Sequence, residues 1–380
     1  MGHARIFIRQ SGMYDVVKTM EKVDWQTLKS RFENQNESRI YDEHFNLIAQ
    51  GVINKSGTRQ APYAGMPTLL DAPARMVDWD APEIDDLDVA LLGVPMDLAI
   101  SNRNGCRFGP RALRAIERIG PYNHALRVAP KMQLNIADVG DVPFRSRYDL
   151  EGCHQDIERV VDKIVKAGVL PLSVGGDHSI SLPVLRAVGR QKPVAMIHID
   201  AHCDTGGPYD NCRFHHGGPF RHAVLEGMLD PEKTIQIGIR GASEYLWEFS
   251  YQSGMTVIHA EEIQQHGIGP VIEKVLQLIG NEPVYLSFDI DSLDPAFAPG
   301  TGTPEVGGLT TREVQTLLRG LAGINIIGGD VVEVSPAYDA TTNTAQAGAQ
   351  MLFEILSLMA VRQPLKALAS SAVGKLVTAE

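Results

Sequence analysis

Three short segments carry reactive side chains at spacings that packing alone does not require. Asp200-Ala201-His202-Cys203-Asp204 follows an apolar run at 194–199. Side chains alternate along extended chain, so Asp200, His202 and Asp204 share one direction and Cys203 takes the other. Asp289-Ile290-Asp291 ends a second apolar run, and the same parity pairs its two carboxylates. His178 follows Gly175-Gly176-Asp177 at the end of a third, where two glycines permit a tight turn and close backbone approach. A histidine placed like this is structural more often than not when it stands alone. Here it joins one other His and four Asp. Carboxylates gathered around imidazoles desolvate and repel at high cost unless a cation joins them. The set exceeds the three or four protein ligands of a single zinc site. It suits two divalent ions about 3.5–4 Å apart with carboxylates bridging them. Oxygen donors with a few imidazoles favour Mn²⁺, with Ni²⁺, Co²⁺ and Fe²⁺ also compatible; Mg²⁺ takes imidazole poorly.

The elements that must hold these residues are legible as a rhythm beginning at Asp88. Apolar, β-branched runs at 89–94, 134–137, 169–174, 194–199, 234–239, 256–258, 284–290 and 326–334 predict strands. Helical patterns at 156–167, 182–188, 269–279, 311–321 and 348–360 fall between or after them. Runs without polar alternation are what strands buried on both faces look like. Strand–helix alternation predicts a doubly wound, mostly parallel β-sheet flanked by helices on both faces. Ligands in such sheets bind at the carboxyl ends of strands, where all three segments lie. Residues 1–85 are polar and broken by turn-forming stretches at 54–57 and 61–65, with one short helical pattern from Val23 to Phe32. They are expected to form an arm or extension, and 86–380 the catalytic domain.

In this order, GGDHS, DAHCD, SFDIDSLDP and Glu333 within DVVEVSP resemble the ureohydrolase family of arginases, agmatinases and guanidino-acid hydrolases. The resemblance runs from about Asp88 to Ala360. The run Asn102 to Arg111 (NRNGCRFGPR) and APGTGTPEVGGLT at 298–310 are closer to agmatinases than to arginases, although Cys203 stands where agmatinases commonly carry Thr. The resemblance implies the arginase-like three-layer α/β fold. It also implies one metal ion on His178 and Asp204, a second on His202 and Asp291, and bridging by Asp200 and Asp289. A metal-bridging hydroxide, oriented by Asp204, would attack the guanidinium carbon of a small cationic guanidino substrate and release urea and an amine. Glu333 would pair with the guanidinium. The proton shuttle would be His216 of FHHGGPF, with His215 as the competing choice. Tyr209 and Phe214, in the loop 205–215, are expected to contact the substrate tail. That loop lacks an evident set of groups for an α-amino acid head, so little activity on arginine is expected. Agmatine or a guanidino acid is the leading substrate expectation. Guanidine, an alkylguanidine or a biguanide, with nickel as the metal, is the alternative. The family also implies a homo-oligomer, trimeric or hexameric; a hetero-oligomer with a related subunit stays open.

Two other classes compete: a one-zinc deacetylase on the related fold, and a non-catalytic partner subunit. The full second-metal set argues against both. A formal charge of -11, from 35 Lys+Arg and 46 Asp+Glu, argues against a nucleic-acid partner. No run of apolar residues is long enough for a membrane span, and no signal peptide is visible. Four cysteines without CxxC spacing predict reduced thiols and a cytoplasmic setting. Glycine pairs at 206–207, 217–218 and 328–329 match neither GxGxxG nor a P-loop. His198, inside an apolar run, is expected to be a satisfied core residue, and Asp177 to support its loop.

Overall fold

The computed structural model describes residues 22–33, 39–50, 61, 63–117 and 119–362. The turn expected at 54–57 lies outside them. The chain divides into two compact units, Met1–Gln60 and Ala61–Glu380. In the first, α1 (Trp25–Phe32) is capped by Asp24, whose side chain accepts from the Thr27 amide, and α2 spans Glu43–Gln50. No residue of α1 is buried.

The second unit is built on eight strands: β1 (Val89–Val94), β2 (Ile136–Asp141), β3 (Leu170–Gly175), β4 (Val194–Ile199), β5 (Leu229–Ile239), β6 (Thr256–His259), β7 (Val284–Asp289) and β8 (Ile326–Val332). They form one sheet in the order β2-β1-β3-β8-β7-β4-β5-β6, every pair parallel. The helices are α3 (Gly109–Arg114), α4 (Pro130–Gln133), α5 (Leu150–Lys166), α6 (Ser181–Val188), α7 (Pro219–Leu225), α8 (Glu248–Ser253), α9 (Ala260–His266), α10 (Ile268–Ile279), α11 (Thr311–Gly320) and α12 (Asn343–Val361). Strand parity sorts the core into two layers. Val89 and Leu91 belong to the core layer that includes α10, α11 and α12, whereas Ala90, Leu92 and Val94 belong to the layer that includes α5, α6 and α7. Both faces of the sheet are therefore apolar, which is why its strands read as unbroken hydrophobic runs.

Every expected strand is present, with shifts where polar residues enter. β2 runs on to Asp141 because the buried Asp138 is neutralised by Arg114 Nε at 2.8 Å and accepts the Leu69 amide at 2.8 Å. α5 starts at Leu150, earlier than the apolar pattern, because Asp149 caps it by accepting from the Gly152 amide. Leu69, Leu70, Trp79 and Ile84 are buried in the core of the second unit, so the boundary drawn at residue 85 falls inside that unit. Among the described residues no helix is long and apolar enough to cross a membrane.

Candidate metal centre and guanidinium pocket

The carboxyl ends of β3, β4, β7 and β8, the four neighbouring central strands, converge on one site. At β3 the chain passes so close to β1 that a Cβ on Gly176 would lie 1.7 Å from the Met96 carbonyl oxygen. Asp177 then fixes a single turn: one oxygen accepts from Ser179 N and Oγ at 3.0 and 2.5 Å, the other from Ala99 N at 3.1 Å. This places His178, fully buried, with Nε2 2.8 Å from Ser287 Oγ. Ser287 donates its proton to Asp330 Oδ1 at 2.7 Å, so its oxygen accepts from His178 Nε2–H. Asp330 is held in turn by the hydroxyls of Tyr285 and Ser181, each at 2.6 Å. The chain of donors leaves the His178 Nδ1 lone pair pointing inward.

Three carboxylates meet that nitrogen. Asp200 Oδ2 lies 3.1 Å away, Asp204 Oδ2 2.9 Å and Asp289 Oδ2 3.1 Å, yet Nδ1 has no partner in hydrogen-bond geometry. A buried lone pair ringed by anionic oxygens is stable only around a cation. A second cluster adjoins it: His202 Nδ1 stands 3.2 Å from Asp291 Oδ2 and 3.5 Å from Asp200 Oδ1. Asp200 thus turns one oxygen to each imidazole, as a bridging carboxylate must. Asp289 turns one oxygen to His178, and the other accepts the Asp291 amide at 2.8 Å. Burial, with Asp291 and Asp200 nearby, pushes Asp289 well above the usual carboxylate range. Burial lifts Asp291 to about 6 against the opposing pull of His202. Buried carboxylates this close are costly as anions without a cation between them, and the donor set fits two divalent ions.

Glu333 lies just beyond β8 with φ 63°, and Asp204 has φ 51°. Left-handed backbone at non-glycine residues is costly and collects at functional positions. The Glu333 amide donates to Gly176 O at 2.9 Å. Its Oε1 accepts the His178 amide at 2.9 Å and faces His216 Nδ1 at 3.0 Å. Its Oε2 is buried and has no hydrogen-bond partner among the described residues. Burial works to lower the basicity of His216, but the hydrogen bond to Glu333 outweighs it and lifts the imidazole to about 9. His216 Nε2 also meets Ser101 Oγ at 2.7 Å.

The other loop residues divide. His215 Nε2 bonds Gly207 O at 2.7 Å, inside its own loop and away from Glu333. Tyr209, 59% exposed, lies edge-on to His215. Phe214 packs between His154 and His222, with the Arg186 and Arg213 guanidiniums over its ring. Among the described residues, its ring contacts are these four and include neither Glu333 nor the metal-ligand carboxylates.

Two residues escaped the sequence reading. His198 is buried, as a core residue would be, but its Nε2 lies 2.7 Å from Asp200 Oδ2 and its Nδ1 3.0 Å from Gln236 Nε2. The alternation that aligned Asp200 with His202 puts His198 on the same side, and that signal was available. Arg240 is buried, has no carboxylate in salt-bridge contact among the described residues, and donates to the carbonyls of Asp291 at 2.8 Å and Glu305 at 2.6 Å. It ties the Asp291 segment to the 305–306 loop. Nothing in its local sequence marks it.

The family model of the arginase family matches residues 87–357. The chain belongs to the arginase family. It is 46% identical over 304 residues to the guanidinopropionase of Pseudomonas aeruginosa, covering 78% of this chain and 93% of that protein. It is 45% identical over 283 residues to the mitochondrial agmatinase of Gallus gallus, covering 72% of this chain and 82% of that protein. Among solved structures, proclavaminate amidino hydrolase from Streptomyces clavuligerus superposes with a TM-score of 0.75 at 36% identity, covering 79% of this chain and 99% of that one. The three-layer arginase fold is thus that of the relatives as well. Arginase-family enzymes depend on a binuclear metal centre, and the His/Asp cluster here has the matching donors. Neither the deacetylase nor the non-catalytic reading is favoured by these likenesses.

Proposed function

We propose that this arginase-family hydrolase releases urea from a small guanidino compound without an α-amino acid head, with a guanidino acid or agmatine as leading substrates. As a member of its family it is a binuclear-metal amidinohydrolase, acting on C–N bonds of linear amidines. The observation that carries the substrate side is Glu333 Oε2, a buried carboxylate oxygen beside the metal-ligand cluster with no hydrogen-bond partner among the described residues. A buried anionic oxygen needs a cationic donor, and a guanidinium offers a planar fork of N–H groups.

His178, Asp204, Asp200 and Asp289 would hold one ion, and His202, Asp291, Asp200 and Asp289 the other. Bound divalent ions supply a water acidified toward neutral pH and neutralise the carboxylates. The chain does the rest. Glu333 seats the guanidinium with Oε2 while Oε1 keeps His216 in place. Asp204 accepts a hydrogen bond from the attacking oxygen and orients it. His216, lifted to about 9, keeps a proton near neutral pH for the departing nitrogen, which leaves only as a neutral amine. Manganese is proposed as the metal, with nickel next. A homo-oligomer, trimeric or hexameric, is proposed as the assembly.

The test is a side-by-side urea-release assay with 3-guanidinopropionate, 4-guanidinobutyrate, agmatine, guanidine, N-alkylguanidines and arginine, each with Mn²⁺ and Ni²⁺. High kcat/KM on one of the first three is expected. Arginine far above all others overturns the reading. Guanidine or an alkylguanidine as best substrate, with nickel preferred, replaces the tail while leaving the site roles standing.

A further inference from the structure

Away from that site, the carboxyl ends of β1 and β2 border a second cavity of about 400 Å³, a size common among small-molecule sites. Apolar Met96, Phe108 and Phe144 line it beside three arginines, 107, 111 and 147. Two carboxylates also line it, and both are already committed. Asp97, its side chain fully buried, is taken by the Arg107 guanidinium and by the Gly105 amide at 2.9 Å. Asp141 Oδ1 is taken by Arg114 Nη1 at 2.5 Å. Arg111 and Arg147 have no carboxylate partner among the described residues, and the Arg147 guanidinium lies over the Tyr148 ring at 5.4 Å. The cavity therefore carries two uncompensated positive charges on a chain whose formal charge is -11.

We propose that this cavity binds a small organic carboxylate, gripped by Arg111 and Arg147 and packed against the Phe108 and Phe144 rings. Guanidinium forks bind carboxylate and phosphate alike, in paired N–H···O bonds. The apolar lining favours an anion with a carbon body over an inorganic one. The site adjoins the catalytic machinery through one loop. Asp97, on the cavity, fixes Gly105, and the chain between them carries Ser101, whose hydroxyl meets His216. An occupant that steadies this loop changes how firmly Ser101 holds His216, so occupancy is read in turnover as well as in binding.

The experiment titrates the metal-loaded enzyme calorimetrically with succinate, butyrate and inorganic phosphate, in wild type, R111Q, R147Q and the double variant. Saturable binding of succinate or butyrate is expected in wild type. The double variant should lose about tenfold or more in affinity, in keeping with the loss of charge-assisted bonds. Its melting temperature and oligomeric state should match wild type. Succinate or butyrate at saturation should also shift the wild-type kcat and leave the double variant's kcat unmoved. No binding up to tens of millimolar, or equal binding by the double variant, overturns the site. Phosphate binding more tightly than either carboxylate overturns the ligand class. A double variant that changes oligomeric state overturns the proposal by showing the cavity to be a subunit contact.

Discussion

At the scale of single residues the site separates charge into holders and users. Asp289 holds: it shares an imidazole nitrogen with Asp200 and Asp204, so Asp289→Asn should strip metal and nearly all activity while the chain still folds. Elemental analysis beside circular dichroism checks this; full metal content in an active variant contradicts it. Glu333 uses its charge, through a buried oxygen with no geometric hydrogen-bond partner among the described residues. Glu333→Gln keeps shape and removes that charge, and kcat/KM should fall by roughly 2–4 kcal/mol in transition-state terms, with metal content unchanged. His216→Ala should cost about 10²–10⁴-fold in kcat, whereas His215, bonded to Gly207 O, should cost far less. The His216–Glu333 pair also predicts a pH signature. The folded imidazole is raised to about 9 from an unfolded value of 6.5. Its contribution to stability is therefore fully present below pH 6.5 and lost as pH rises through 9. The stability gap between wild type and His216→Gln, measured by denaturant unfolding at a series of pH values, should shrink over that window. A gap that stays level from pH 6 to pH 10 contradicts the pairing.

At the scale of elements, parallel strands deliver ligands to one edge because every one of them ends on the same side. The turn after β3 depends on a close crossing of backbones, with the Gly176 Cβ position 1.7 Å from Met96 O. Gly176→Ala cannot be absorbed by a side-chain rotation, since the obstacle is main chain. It should destabilise the protein by about 1–3 kcal/mol or more and shift His178 out of register with the β4 and β7 carboxylates. The check is urea unfolding together with metal affinity. Wild-type values in both would show that the β1 and β3 ends part without consequence.

For the whole molecule, the clustered carboxylates make the metal a folding ligand as well as a catalytic one. Without cations, Asp200, Asp204, Asp289 and Asp291 repel one another at low exposure, between 0% and 8%. Exhaustive chelation should lower the melting temperature, and excess Mn²⁺ or Ni²⁺ should restore it, because only the folded chain assembles the donors. Scanning calorimetry with metal counting per chain reads both; a melt indifferent to chelation means the cluster is neutralised by protons instead.

The sequence alone picked out the candidate ligands, because they lie in short segments that follow apolar runs. Alternation singles these residues out, but past β4 the chain bends and Asp204 turns left-handed at φ 51°, and Asp291 sits in a 3-10 turn at Ile290–Ser292, so turns rather than extended chain bring the side chains together. The sequence also determined the strand count and the parallel sheet, since strands buried on both faces must be apolar throughout. It could not fix where β2 ends or where α5 begins, because Asp138 and Asp149 act through partners at Arg114 and Gly152 that the apolar pattern does not register. Only the tertiary structure decided which histidine reaches Glu333, since His215 and His216 differ by one residue and the loop's path selects between them. It moved Phe214 into a box of imidazoles and arginines. It brought Ser287, Asp330 and Arg240 to the site from three separate strands and their ends. Such contacts follow from the packing of strands far apart in the chain, and alternation within any one segment carries no trace of them.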